Sequence, residues 1–130
     1  MNDDLQGTQV LVHPGLPHDP ARMQNEIGLI KLAYPFCDEF LVRFPNGKEG
    51  LYAADALLVL KPQSEIHQFL NDNAYELSFP DLKVLTQIDL LLHYGSGLKA
   101  LNLARENPPI QDVCLHTLDN TISLNQSYER

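Results

Sequence analysis

The stretch Asp38-Glu39-Phe40-Leu41-Val42-Arg43-Phe44-Pro45-Asn46-Gly47-Lys48-Glu49-Gly50-Leu51-Tyr52-Ala53-Ala54-Asp55-Ala56-Leu57-Leu58-Val59-Leu60 holds the densest pattern in the chain. Phe40, Val42 and Phe44 alternate with Leu41 and Arg43, the period of two that a strand with one buried face requires. Pro45 ends that strand, and Asn46-Gly47 supplies a turn, because both residues tolerate positive φ. The chain therefore folds back through Leu51-Tyr52. Asp55 is placed to cap a single helical turn, after which Leu58-Val59-Leu60 forms a last short strand.

Upstream, Gly7-Thr8-Gln9-Val10-Leu11-Val12 reads as a first strand with Val10 and Val12 facing the core, and Glu26-Ile27-Gly28-Leu29-Ile30 opens a second. On a strict alternation, Ile27, Leu29 and Lys31 share one face of that strand and Gly28, Ile30 and Leu32 the other. Between the two strands, His13-Pro14-Gly15-Leu16-Pro17-His18-Asp19-Pro20 excludes regular structure and predicts an ordered loop. Met1 to Gln6 is expected to fray. A glycine opening strand one, a glycine where strand two bends, a polar-tipped hairpin and one helical turn before strand five together resemble the SH3-like small β-barrel superfamily, of the Tudor, KOW or agenet kind, over about residues 5–62. That resemblance implies a five-stranded barrel whose first long loop borders a ligand groove, and ligands that range from peptides and methylated side chains to nucleic acid. Fold alone does not choose among them.

Lys61-Pro62-Gln63 marks a boundary, since Pro62 cannot continue a ladder. Beyond it the period becomes helical. Ser64 is expected to cap a helix running to about Asn71, with Ile66, Phe69 and Leu70 inward. Ser78 and Asp81 around Pro80 start a second, whose stripe is Leu82, Leu85, Ile88, Leu91 and Leu92 and whose end is Gly95. A third follows with Leu98, Leu101 and Ala104 inward, stopped by Asn107-Pro108-Pro109. Ile110, Val113, Cys114, Leu118 and Ile122 keep helical rhythm in a fourth, and the last five or six residues are expected to fray. The expected architecture is α+β: a barrel over 1–62 and a small bundle of about four short helices over 63–130, docked on it.

The net charge of −8 is shared by both halves: five basic against eight acidic residues over 1–62, and four against nine over 63–130. Phosphate contacts dominate nucleic-acid affinity, so this balance argues against such a partner unless Arg22, Lys31, Arg43 and Lys48 are gathered on one face. No run is long enough to span a membrane and Met1-Asn2-Asp3-Asp4 does not begin a signal peptide, so the expectation is a soluble, cytoplasmic protein with no membrane partner. The five histidines give no zinc spacing: His13 and His18 share the loop without a third ligand, and His67, His93 and His116 are expected on three different helices. No cofactor is implied.

Catalysis finds little support. Cys37 would be the nucleophile of a thiol-dependent enzyme, but Asp38 beside it opposes thiolate formation, and Cys114 is expected to be buried. Ser96 between two glycines lacks the preceding strand of a hydrolase elbow, and the pairs Asp3-Asp4 and Asp38-Glu39 have nothing to separate their pKa values. The aromatic residues point elsewhere. Phe40, Phe44 and Tyr52 alternate into the core, whereas Tyr34 and Phe36 flank the connection between strands two and three and are expected to be exposed. The expectation is a non-catalytic binding or scaffold module that contacts a protein partner or its own copy through Tyr34, Phe36, His13, His18, Arg22 and Arg43. A nucleic-acid-associated module of the KOW kind is the alternative, and a thiol-dependent enzyme at Cys37 the second alternative.

Overall fold

The computed structural model describes residues 5–17, 19 and 22–120, so His18, Ile122, the Asp3-Asp4 pair and both chain ends lie outside the described residues. Six strands form one open sheet: β1 (Gln9–Val12), β2 (Ile27–Tyr34), β3 (Glu39–Arg43), β4 (Glu49–Tyr52), β5 (Leu57–Leu60) and β6 (Leu115–Thr117), in the order β4-β3-β2-β1-β5-β6. The first five pair antiparallel. Helices α1 (Gln63–Asn73), α2 (Phe79–His93), α3 (Gly97–Arg105) and α4 (Gln111–Cys114) come between β5 and β6. The architecture is therefore α+β, but the sheet is open and six-stranded where a closed five-stranded barrel was expected.

The described residues divide into two compact units, one made of those up to Val59 together with Thr117 to Asn120, the other of Leu60–His116. In the first, Val10, Val12, Ile30, Ala33, Phe40, Val42, Phe44, Tyr52, Leu57, Val59 and Leu118 form the core, with Leu5 and Leu16 against it. Phe44 meets Tyr52 edge to face at 6.3 Å, a favoured aromatic geometry. Gly28 has no room for a side chain: a Cβ there would lie 2.6 Å from Val42 Cγ1 and 2.9 Å from the Arg43 carbonyl oxygen. The Asn46-Gly47 hairpin forms as the sequence requires, with Gly47 at φ +88°, its N–H donating to Phe44 O at 2.9 Å, and Lys48 N donating to Asn46 Oδ1 at 3.0 Å.

Several local expectations are corrected by long-range partners. Leu5 and Gln6 do not fray: Gln6 Nε2 donates to Lys31 O and Gly7 N to Ile30 O, both at 2.8 Å. Asp55 caps nothing, and the amide of the short 3-10 turn Ala54–Ala56 is taken by Asp38, whose Oδ1 accepts from Ala54 N at 2.9 Å. Most consequential is a bulge in β2. The register slips between Ile30 and Leu32, so Lys31 and Leu32 are both exposed and Ala33 becomes the next buried residue. A bulge inserts one unpaired residue and inverts the alternation after it. Leu32, expected on the face of Gly28 and Ile30, is therefore on the opposite one.

In the helical unit, Ile66, Leu70, Leu85, Ile88, Ala100, Leu101, Ala104, Ile110 and Cys114 are buried. The Ser78 hydroxyl accepts from Asp81 N at 3.3 Å, which gives α2 its N-cap. Helix α1 begins instead at Gln63, after Pro62 and without a side-chain cap from Ser64, and Leu98 is exposed rather than inward. The α3 C-terminus is closed by Gln111, whose Nε2 donates to Ala104 O at 3.1 Å and Arg105 O at 3.2 Å, satisfying carbonyls that a helix end leaves free. The expected fourth helix stops after one turn. Leu115 turns extended at φ −119°, ψ 149° and starts β6, and Lys61 N donates to Cys114 O at 2.8 Å. His116 consequently lies on a strand, while His67 and His93 are helical.

Candidate functional site

Strands β2, β3 and β4 form a meander with one face in the core. Their other face carries a pattern that no single strand displays. Phe40, Val42 and Tyr52 point inward, so Glu39, Leu41 and Arg43 of β3 and Glu49 and Leu51 of β4 point outward. The ladder sets these side by side: Leu32 opposite Leu41 and Leu41 opposite Leu51 make one row across the sheet, Tyr34 stands opposite Glu39 at one end, and Leu29 and Glu49 flank Arg43 at the other. Leu29, Leu32, Tyr34 and Leu51 remain 46%, 37%, 45% and 51% exposed. Without the β2 bulge Leu32 would be missing from this row.

The two ends of the face differ in charge. At one, Arg43 Nη2 and Lys31 Nζ lie 2.6 and 3.1 Å from the same Glu49 oxygen, and Arg43 Nε donates to it at 2.7 Å. Hydrogen bonds from Lys31 and then Arg43 outweigh desolvation and hold the Glu49 carboxyl below its ordinary value. Two cations thus share one anion. At the other end stands Glu39, with exposed Asp38 next to it.

The expected site residues do not converge on one place. Tyr34 and Arg43 lie on this outer face level with opposite ends of β3, about 14 Å apart along a strand rising about 3.4 Å per residue. Phe36, 99% exposed, sits on the 3-10 turn Pro35–Cys37 beyond Tyr34. His13 and Arg22 belong to the β1–β2 loop, where the His13 ring is used locally, its Nδ1 accepting from Gly15 N at 3.0 Å. Arg22 is exposed at φ +55°, its amide donating to Asp19 O at 3.0 Å.

A residue that composition alone does not single out ties the described part of that loop to the sheet. Asp19 accepts from Met23 N and from the Tyr52 hydroxyl, both at 2.7 Å. Burial and the neighbouring carboxylate raise the Tyr52 pKa well above its ordinary value. An Asp four residues before a buried Met was the available sequence signal, but the phenol that completes the network lies 33 residues away.

In the helical unit His67 Nδ1 lies 2.9 Å from Asp89 Oδ2, and Gln63 Nε2 donates to the other oxygen. Desolvation raises the Asp89 pKa, but the hydrogen bonds from His67 and Gln63 outweigh it and leave the carboxyl below its ordinary value. Among the described residues no three His, Cys, Asp or Glu side chains are grouped to hold a metal ion. Cys114 is buried, its thiol pushed up to about 12 by desolvation, while Cys37 is exposed. No helix among the described residues is long and apolar enough to cross a membrane. Compared with models of known protein families, with curated proteins and with solved structures, the chain has no match.

Proposed function

We propose that this chain is a non-catalytic protein-binding or scaffold module whose contact surface is the outer face of β2, β3 and β4. The observation that carries the reading is the Leu32–Leu41–Leu51 row, with Leu29 and Tyr34 beside it, left open on a sheet whose other face is fully used by the core. A contiguous apolar patch rimmed by charge is what protein interfaces have at their centre. The first unit is read as an opened member of the SH3-like superfamily. What supports that resemblance is Gly7 at φ +81° before β1, the close approach at Gly28, the Asn46-Gly47 hairpin and the single 3-10 turn before β5.

The nucleic-acid reading has less support, because Lys31 and Arg43, two of its four cations, are engaged with Glu49. The thiol-enzyme reading has less still: Cys37 is exposed on a turn with no described base hydrogen-bonded to it. The test is capture of partners from native lysate on immobilised protein, after nuclease treatment, with wild type and Leu51→Lys compared. Leu51 is half exposed, so its replacement leaves stability within about 0.5 kcal/mol. A discrete protein bound by wild type and lost with Leu51→Lys is the expected result; equal capture by both proteins refutes this face as the contact surface.

A further inference from the structure

The outer side chains of β3 are, in order, Glu39, Leu41 and Arg43, an anion, an apolar group and a cation at steps of about 7 Å. The neighbouring strands reinforce the polarity. Lys31 and Arg43 against Glu49 leave a net positive charge at one end, while Glu39 and Asp38 make the other end negative, with the three leucines between. Such a face is complementary to itself in only one orientation. Turned over about an axis parallel to the strands, it would set Arg43 on Arg43 and Glu39 on Glu39. Turned over about an axis along the leucine row, it sets Glu39 of each copy on Arg43 of the other and stacks Leu32, Leu41 and Leu51 on themselves.

We propose that the outer face of β2–β4 is an isologous interface with a second copy of this chain, its two-fold axis running along the Leu32–Leu41–Leu51 row. This deepens the protein-binding reading and rests on it. An isologous contact needs a self-complementary patch, and here apolar centre and oppositely charged ends occur in one register. Tyr34 of one copy then faces Leu29 of the other, which extends the apolar contact beside the leucine row. Sheet faces pack about 10 Å apart, with strands within about 30° of each other. Three strands at about 4.8 Å spacing offer a few hundred Å², less than the roughly 800 Å² per partner of a standard stable interface. The dimer is therefore a weak one that depends on concentration.

The experiment is sedimentation equilibrium of the full chain at rising concentration, with Glu39→Arg and Arg43→Glu made separately. Both positions are exposed, and circular dichroism checks that each variant is folded. Wild type is expected to rise from 14.7 kDa toward twice that mass. Each variant alone places like charge on like charge and associates at least about tenfold more weakly. An equimolar mixture of the two variants restores association to about the wild-type level, because a face positive at both ends meets one negative at both ends. A wild type that stays monomeric, variants that associate as wild type does, or a mixture that does not recover each overturns the proposal. The second of these outcomes would point to pairing through the β4 edge. If wild type is monomeric while Leu51→Lys still abolishes lysate capture, the dimer fails and the binding face stands; if capture too is unchanged, both fail.

Discussion

Replacing Gly28 by alanine adds one methyl group where β2 packs directly against Val42, the Arg43 carbonyl and Phe44. The new Cβ would lie 2.6 Å from Val42 Cγ1, 2.9 Å from Phe44 Cδ1 and 2.9 Å from the Arg43 carbonyl oxygen. Two of these neighbours are fixed: Val42 is fully buried, and the carbonyl belongs to the backbone beside the β2–β3 ladder. Gly28 does not have positive φ, so alanine meets no conformational penalty and gains about 0.4–1 kcal/mol by restricting the unfolded chain. Overpacking of a filled site costs about 1–3 kcal/mol, and with contacts this short the upper half of that range applies. A net loss of about 2 kcal/mol corresponds to a fall in Tm of roughly 8–16 °C for a unit of this size. Urea unfolding followed by circular dichroism measures it, with Gly47→Ala as the contrast. At Gly47 a Cβ meets nothing within 4 Å, so only its positive φ makes alanine unfavourable, by about 1–2 kcal/mol. A Gly28→Ala protein within 0.5 kcal/mol of wild type would refute the close strand approach.

Two further outcomes follow from buried polar and thiol groups. Tyr52→Phe removes the phenol that holds Asp19, costing about 1.5–3 kcal/mol because the acceptor is charged. The Tyr52 pKa is raised in the folded state, so its contribution is complete below pH ~10 and declines as pH rises above that value. Absorbance titration at 295 nm should show one of the five tyrosines ionising late in wild type and not in Tyr52→Phe, and simultaneous ionisation of all five in wild type would contradict the network. Alkylation near neutral pH should add one label, at Cys37, and a second at Cys114 only after unfolding; two labels on the native protein, read by mass spectrometry, would contradict the burial.

Much of the meander was legible because its determinants are local. The alternation of Phe40, Val42 and Phe44, the turn at Asn46-Gly47 and the Ser78 cap each depend on residues within a few positions, and each appears as read. The exposure of Tyr34 and Phe36 was legible on the same grounds. The end of the chain was not. Leu118 keeps helical spacing with Cys114, yet the helix stops at Cys114 and Leu115–Thr117 joins the sheet as its sixth strand, because tertiary pairing overrides a weak local preference in a short segment.

The candidate surface shows the same division more sharply. Sequence alone determined that Leu41 and Arg43 share one face of β3, since a strand's side chains must alternate, while Glu39, read as part of a loop, joins that face only in the structure. Only the tertiary structure decided what stands beside them. The bulge between Ile30 and Leu32 turned Leu32 outward, the β3–β4 register set Glu49 against Arg43, and Asp19 found Tyr52 across 33 residues. The physical reason is that a bulge or a cross-strand pair is fixed by the closest packing of two distant segments, and neither segment carries that information by itself.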